Sequence, residues 1–134
     1  MGTIRFAQGD AYFITFPEVQ GALAAVKAIS QNWAAVRQEK SYPPLSAGIH
    51  YGDLTLFRAY IYGENITITS LLQQMTGTIW PEMAENRILV SDTVAQLAAG
   101  TEWSAELITV SLPDPPANFL DTYGRKPIYT FRPD

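Results

Sequence analysis

The chain has 134 residues, of which 47% are hydrophobic and 16% charged, with nine Lys and Arg against 13 Asp and Glu for a formal net charge of −4. This size and composition suit one globular domain with a core of its own, and exclude a disordered chain. No basic cluster marks a nucleic-acid or anionic-membrane surface, and no apolar run approaches the roughly 20 residues of a membrane span.

The absence of cysteine excludes disulfides, thiolate zinc sites and a cysteine nucleophile. The N-terminus has no signal-peptide pattern, so the expectation is a cytoplasmic protein with neither nucleic acid nor membrane as partner. Residues 3–16, "TIRFAQGDAYFITF", alternate in polarity around Gly9-Asp10, which predicts two antiparallel strands joined by a tight hairpin. Pro17 ends the second strand. From Glu18 the period changes: Ala22, Val26, Ile29, Trp33 and Val36 recur every three or four residues and predict a long amphipathic helix. Glu18 at its start and Arg37 and Lys40 near its end suit the helix dipole, and Pro43-Pro44 close it.

Residues 45–57 predict one strand, and residues 65–75 a second helix with Ile66, Leu71 and Leu72 turned inward. "GTIWPEMAEN" reads as a loop. A strand over 87–91 runs into a short helix over 92–99, for which Ser91 or Asp92 is a good N-cap. A strand over 105–112, a loop over 113–127 and a last strand "IYTFR" complete the chain. The order ββαβαβαββ argues an α+β fold, an antiparallel sheet with helices packed on one face. No repeat or linker divides residues 1–134.

Little chemistry is legible in isolated residues. His50 is the sole histidine and has no second His or Cys to share a metal, so it reads as structural. Asp53 and Glu64 fit no acid–base pair and read as loop and cap residues. With one His and no Cys, no Ser–His–Asp or Cys–His set is read, and no Walker or Rossmann loop is present. Asn65-Ile66-Thr67 is a glycosylation sequon without a secretory context.

Taken in order, "FAQGDAYFITF", "GIHYGD", "YGENITITSLL", "NRILVSDTVAQL" and the closing "YGRKPIYTFRPD" resemble the class III nucleotidyl (adenylate/guanylate) cyclase homology domain. That family has a Gly-Asp hairpin, a strand of the type G-I-H-x-G-[ED], a helix opening of the type [YFW]-G-D-x-V-N-x-A-x-R-L and a strand of the type G-Q-I-L-V-S. The resemblance covers the chain and implies a ferredoxin-like palm. It also implies that the family's first strand, which carries one metal-binding Asp, and its first two helices lack an equivalent here.

The family's reaction is attack of a ribose 3′-hydroxyl on the α-phosphorus of ATP or GTP, expelling pyrophosphate. Two divalent metals, held by two Asp, serve it. An Asn orients the ribose, an Arg meets phosphate charge, and a Lys and an Asp read the base, in sites shared between two subunits. On these motifs the resemblance puts Asp10 at a metal position, Phe6 and Tyr60 at the base-reading positions, Thr67 at the Asn position and Leu71 at the Arg position. Thr offers one hydroxyl for a carboxamide, and Leu has no donor.

The expectation is therefore a truncated, degenerate cyclase-like domain without catalytic residues, acting as a dimerisation or regulatory module in a homodimer or with a partner cyclase-like chain. A vestigial nucleotide pocket would be lined by Phe6 and Tyr60, and Mg or Mn would bind only if Asp10 retains a metal. The alternatives are an active adenylate or guanylate cyclase completed by a partner or upstream segment, and a nucleotide-sensing regulator without turnover.

Overall fold

In the computed structural model, which describes residues 2–57, 60–82 and 87–133 and the side chains of all of these but residues 8, 57 and 60–62, the first two strands form as the sequence predicts. β1 (Thr3–Gln8) and β2 (Ala11–Thr15) pair antiparallel across a two-residue turn, with a register shift between Ile4 and Phe6. Gly9 has φ of 60°, the left-handed value such a turn needs and glycine supplies at little cost. The hairpin is a two-stranded sheet of its own. α1 (Val19–Lys40) follows Pro17 and ends at Ser41, which is left-handed and donates its backbone N–H to the Arg37 carbonyl at 2.8 Å.

The four-stranded sheet has the order β3-β6-β8-β7, made of β3 (Ser46–Ile49), β6 (Arg87–Ser91), β7 (Leu107–Val110) and β8 (Ile128–Phe131). The expected antiparallel sheet is corrected to a mixed one. β3 and β6 run parallel, because the chain between them crosses over through α2 (Glu64–Ile79), while β8 is antiparallel to both β6 and β7.

The helices do not lie on one face either. β6 is apolar throughout its middle, and strand alternation sends Ile88 and Val90 to one face and Leu89 to the other. Ile88 and Val90 pack with Leu23 of α1 and with Val94 of α3 (Asp92–Leu97). Leu89 packs with Ile68, Leu72 and Met75 of α2 and with Phe119 of α4 (Ala117–Thr122). Both faces of β6 are covered, which is why its sequence shows no polar alternation.

The predicted strand over 45–57 is two strands. After Ile49 the chain leaves the sheet and resumes as β4 (Thr55–Phe57), paired antiparallel with β5 (Tyr60–Tyr62). The second helix runs on to Ile79, and the predicted loop over 113–127 contains α4. A 3-10 helix (Glu102–Glu106) occupies the start of the predicted strand over 105–112. On α1 the predicted inward stripe is covered only in its first half: Ala22 and Val26 pack against the core, whereas Ile29 and Val36 are 46% and 42% exposed. Among the described residues no helix is long and apolar enough to cross a membrane.

Candidate functional site

The carboxyl ends of the parallel strands β3 and β6 lie side by side, and each delivers a polar residue: His50 directly after Ile49, and Ser91 as the last residue of β6. His50 Nδ1 lies 2.8 Å from Ser91 Oγ, and its Nε2 lies 2.8 Å from Asn65 Oδ1 in the first turn of α2. Asn65 Nδ2 donates to the Asp53 carbonyl at 2.7 Å. That bond sets the direction of the rest. With the amide nitrogen committed to a carbonyl, Asn65 Oδ1 is the acceptor, so Nε2 carries the imidazole proton. The neutral ring then accepts at Nδ1 from the Ser91 hydroxyl. Ser91 Oγ in turn accepts from Val94 N at 3.4 Å as the N-cap of α3.

Burial lowers the His50 pKa from its ordinary 6.5; the Asn65 hydrogen bond opposes that shift, and the positive charge of Lys126 adds to it. A side chain on Gly52 would overlap the Asn65 amide, so glycine is what allows the 50–54 segment to lie against α2.

Ser91–His50–Asn65 has the connectivity of a nucleophilic triad with Asn in the third place, an arrangement the sequence did not reveal. Its serine cannot attack, however: Ser91 is 0% exposed and its oxygen is bound as a helix cap. The chain of bonds is a clamp that ties the 50–54 segment, the start of α2 and the β6–α3 junction together. Its one signal in the sequence was Gly52 two residues beyond the sole histidine; Asn65 carried no mark except its sequon.

A second set of bonds extends the clamp. Asp92 N–H donates to Tyr123 Oη at 2.8 Å, Tyr123 Oη donates to the Pro127 carbonyl at 2.6 Å, and Tyr129 Oη donates to Asp92 Oδ1 at 3.3 Å. Burial pushes the Tyr123 phenol up to about 12; the bond from the Asp92 backbone opposes this, and the charge of Asp92 adds to it. Burial and the Asp92 carboxylate raise Tyr129 as well.

The residues singled out by resemblance fall on two elements. Asp10 is exposed at the tip of the β1–β2 hairpin, and Phe6, 43% exposed, stacks on Phe13 with ring centroids 5.1 Å apart. Tyr60 begins β5, and its side chain lies outside the described residues. Thr67 is exposed on α2, and Leu71, one turn later, packs against the cluster of Leu72 and Met75. Among the described residues no hydrogen bond or ion pair involves Asp10, and no group of three His, Asp or Glu could hold a metal ion.

No family model and no curated protein matches the chain. Among solved structures, an adenylate/guanylate cyclase/hydrolase from Silicibacter pomeroyi matches 99% of this chain and 73% of its own, with a TM-score of 0.62 and 22% sequence identity. The fold is cyclase-like. In this cyclase-like chain the hairpin with Asp10 and the helix with Thr67 and Leu71 occur in the order that the sequence resemblance implied. At this identity the likeness concerns fold alone, and the chemistry rests on the residues just described.

Proposed function

We propose that this cyclase-like chain is a non-catalytic domain that works as a dimerisation or regulatory module. The observation that carries the reading is Leu71. At the position where the resemblance calls for an Arg facing phosphate, an apolar side chain is engaged with the core cluster beneath α2. Asp10, at the position the resemblance gives to a metal, belongs to no group of three or more His, Cys, Asp or Glu among the described residues. Losing a single transition-state donor costs a factor of about 10² to 10³, and several are replaced together here.

Association is supported by apolar surface on the hairpin, where Ile4, Phe6 and Tyr12 are exposed on an isolated two-stranded sheet. Such a ribbon is marginal by itself and gains from a covering surface.

The test is cyclic AMP and cyclic GMP production by the purified chain with ATP or GTP and excess Mn²⁺, beside sedimentation velocity over a concentration series. The expected result is no product above an Asp10→Ala control, together with a reversible dimer. Product well above that control would overturn the non-catalytic reading. A monomer at every concentration would overturn self-association and leave a heterologous partner chain to be tested. The second reading, an active cyclase completed by a partner, draws on the activity named for the Silicibacter pomeroyi protein; it predicts product only on mixing with that partner. A nucleotide sensor would instead bind ATP or GTP saturably and release nothing.

A further inference from the structure

We propose that the open edge of β7 joins two copies of this chain, β7 against β7, about a two-fold axis through Thr109. β7 is an end strand of the four-stranded sheet and, among the described residues, pairs only with β8. One bond sets the direction of its backbone groups. Arg132 N–H donates to the Glu106 carbonyl at 2.6 Å, and the register continues unbroken from Leu107 opposite Phe131 to Val110 opposite Ile128. Bonded and non-bonded pairs alternate along an antiparallel ladder. Glu106, Ile108 and Val110 therefore bond toward β8, whereas Leu107 and Thr109 fall in the non-bonded pairs. The Thr109 N–H and the carbonyls of Leu107 and Thr109 are turned to the open edge. Among the described residues no hydrogen bond takes up any of these three groups.

Sheet edges are ordinarily guarded by charge, proline or a bulge. β7 has none of these. Residues 107–112 read Leu-Ile-Thr-Val-Ser-Leu, and the pairing with β8 shows no register shift. Thr109 is exposed, so the edge is within reach of another strand. Free donors and acceptors on an extended backbone are completed by a second extended strand.

Self-complementarity selects a second copy as that strand. With the axis at Thr109, the two Thr109 residues face each other and exchange N–H and carbonyl bonds. Leu107 of one copy then faces Ser111 of the other, and Ile108 faces Val110. Thr–Thr and β-branched pairs of this kind are favourable across strands. No like charges are opposed. Glu106 would face Leu112 of the other copy, and its carboxylate is already bonded to Lys27 at 2.8 Å. The ladder is short, so the dimer is small in area and reversible. Self-association through β7 rests on the dimerisation reading above and gives it a surface apart from the hairpin.

The test is sedimentation velocity of the full chain over a concentration series, for the parent, Thr109→Lys, Thr109→Glu, an equal mixture of those two, and Thr109→Pro. Thr109 is exposed and its N–H points away from β8, so these substitutions leave the β7–β8 bonds in place. The parent is expected to dimerise reversibly. The Lys and Glu variants, each opposing like charges across the axis, should each raise the dissociation constant by about fivefold, and the mixture should restore association. Thr109→Pro deletes the outward donor and should weaken the dimer by about tenfold or more. A dimer that no variant weakens would overturn pairing through β7 and leave dimerisation standing, with the hairpin as its surface. Lys and Glu variants that weaken association but do not recover on mixing would overturn the axis at Thr109. A monomer at every concentration would overturn both this pairing and self-association itself.

Discussion

Gly48, in the middle of β3, lies directly under α2. A Cβ built there would stand 2.6 Å from the Thr69 carbonyl oxygen, 2.7 Å from Gln73 N and 2.8 Å from Leu72 Cβ. Two of these three atoms belong to helix backbone, so no rotamer change relieves the overlap. To restore ordinary contact at 3.4 Å, α2 must move off the sheet by about 0.8 Å at its tightest point. A radial gap of about 0.5–1 Å forfeits a quarter to a half of each dispersion contact, and Ile68, Leu72 and Met75 would all lose contacts with Leu89 in this way.

Gly48→Ala is therefore expected near the upper end of the overpacking range, about 3 kcal/mol, which for a domain of this size lowers Tm by roughly 10 °C. Urea unfolding followed by circular dichroism measures the loss. Gly77→Ala on the same helix is the internal control. Its nearest neighbour would be Arg87 Nη2 at 3.5 Å, an ordinary contact, so the gain in helix propensity, about 0.8–1 kcal/mol, should stabilise the chain. A Gly48→Ala variant within about 0.5 kcal/mol of the parent would show that α2 is not seated on β3 as closely as these distances require, and would refute the reasoning.

Two further outcomes follow from the clamp. Because the folded pKa of His50 lies below 6.5, the unfolded chain binds more protons between the two values, so the contribution of His50 to stability is present above 6.5 and falls as pH drops toward the folded value. Unfolding free energies measured across that range should show a slope that His50→Gln diminishes; identical slopes would refute the assignment. Tyr123→Phe deprives the Asp92 N–H and the Pro127 carbonyl of their partner and should cost about 1–3 kcal/mol. The parent should also lose stability as pH rises from 10 toward about 12, because the folded phenol keeps its proton after the unfolded one has lost it, and the Phe variant should lack that component.

The hairpin, the two long helices and the β6 strand were legible because each is set by short-range chemistry: a Gly-Asp turn, a period near 3.6, or a capping serine. The break after Ile49 was not. Thr55–Phe57 continues the apolar pattern of β3, and what removes it from the sheet is the Asn65 bond to the Asp53 carbonyl, a contact made across 12 residues. α4 was hidden for a similar reason. Its proline-rich approach reads as loop, and its helical turn is held by Phe119 and Tyr123 packing under α2.

Of the candidate site residues, Thr67 and Leu71 were singled out by the resemblance, and both stand on α2. The Ser91–His50–Asn65 clamp could not be read from the sequence, because its members lie on three different elements and none is unusual where it stands.

Composition and periodicity by themselves determined that this is an α+β chain with a glycine-aspartate hairpin, one histidine and no cysteine. Only the tertiary structure decided that β3 and β6 run parallel, that helices cover both faces of β6, and that the sole histidine is locked between a buried serine and an asparagine. The physical reason is range. Turns, caps and helical period act between residues a few positions apart, whereas strand order, face and hydrogen-bond partners are set by burial between segments that meet only when the chain has folded.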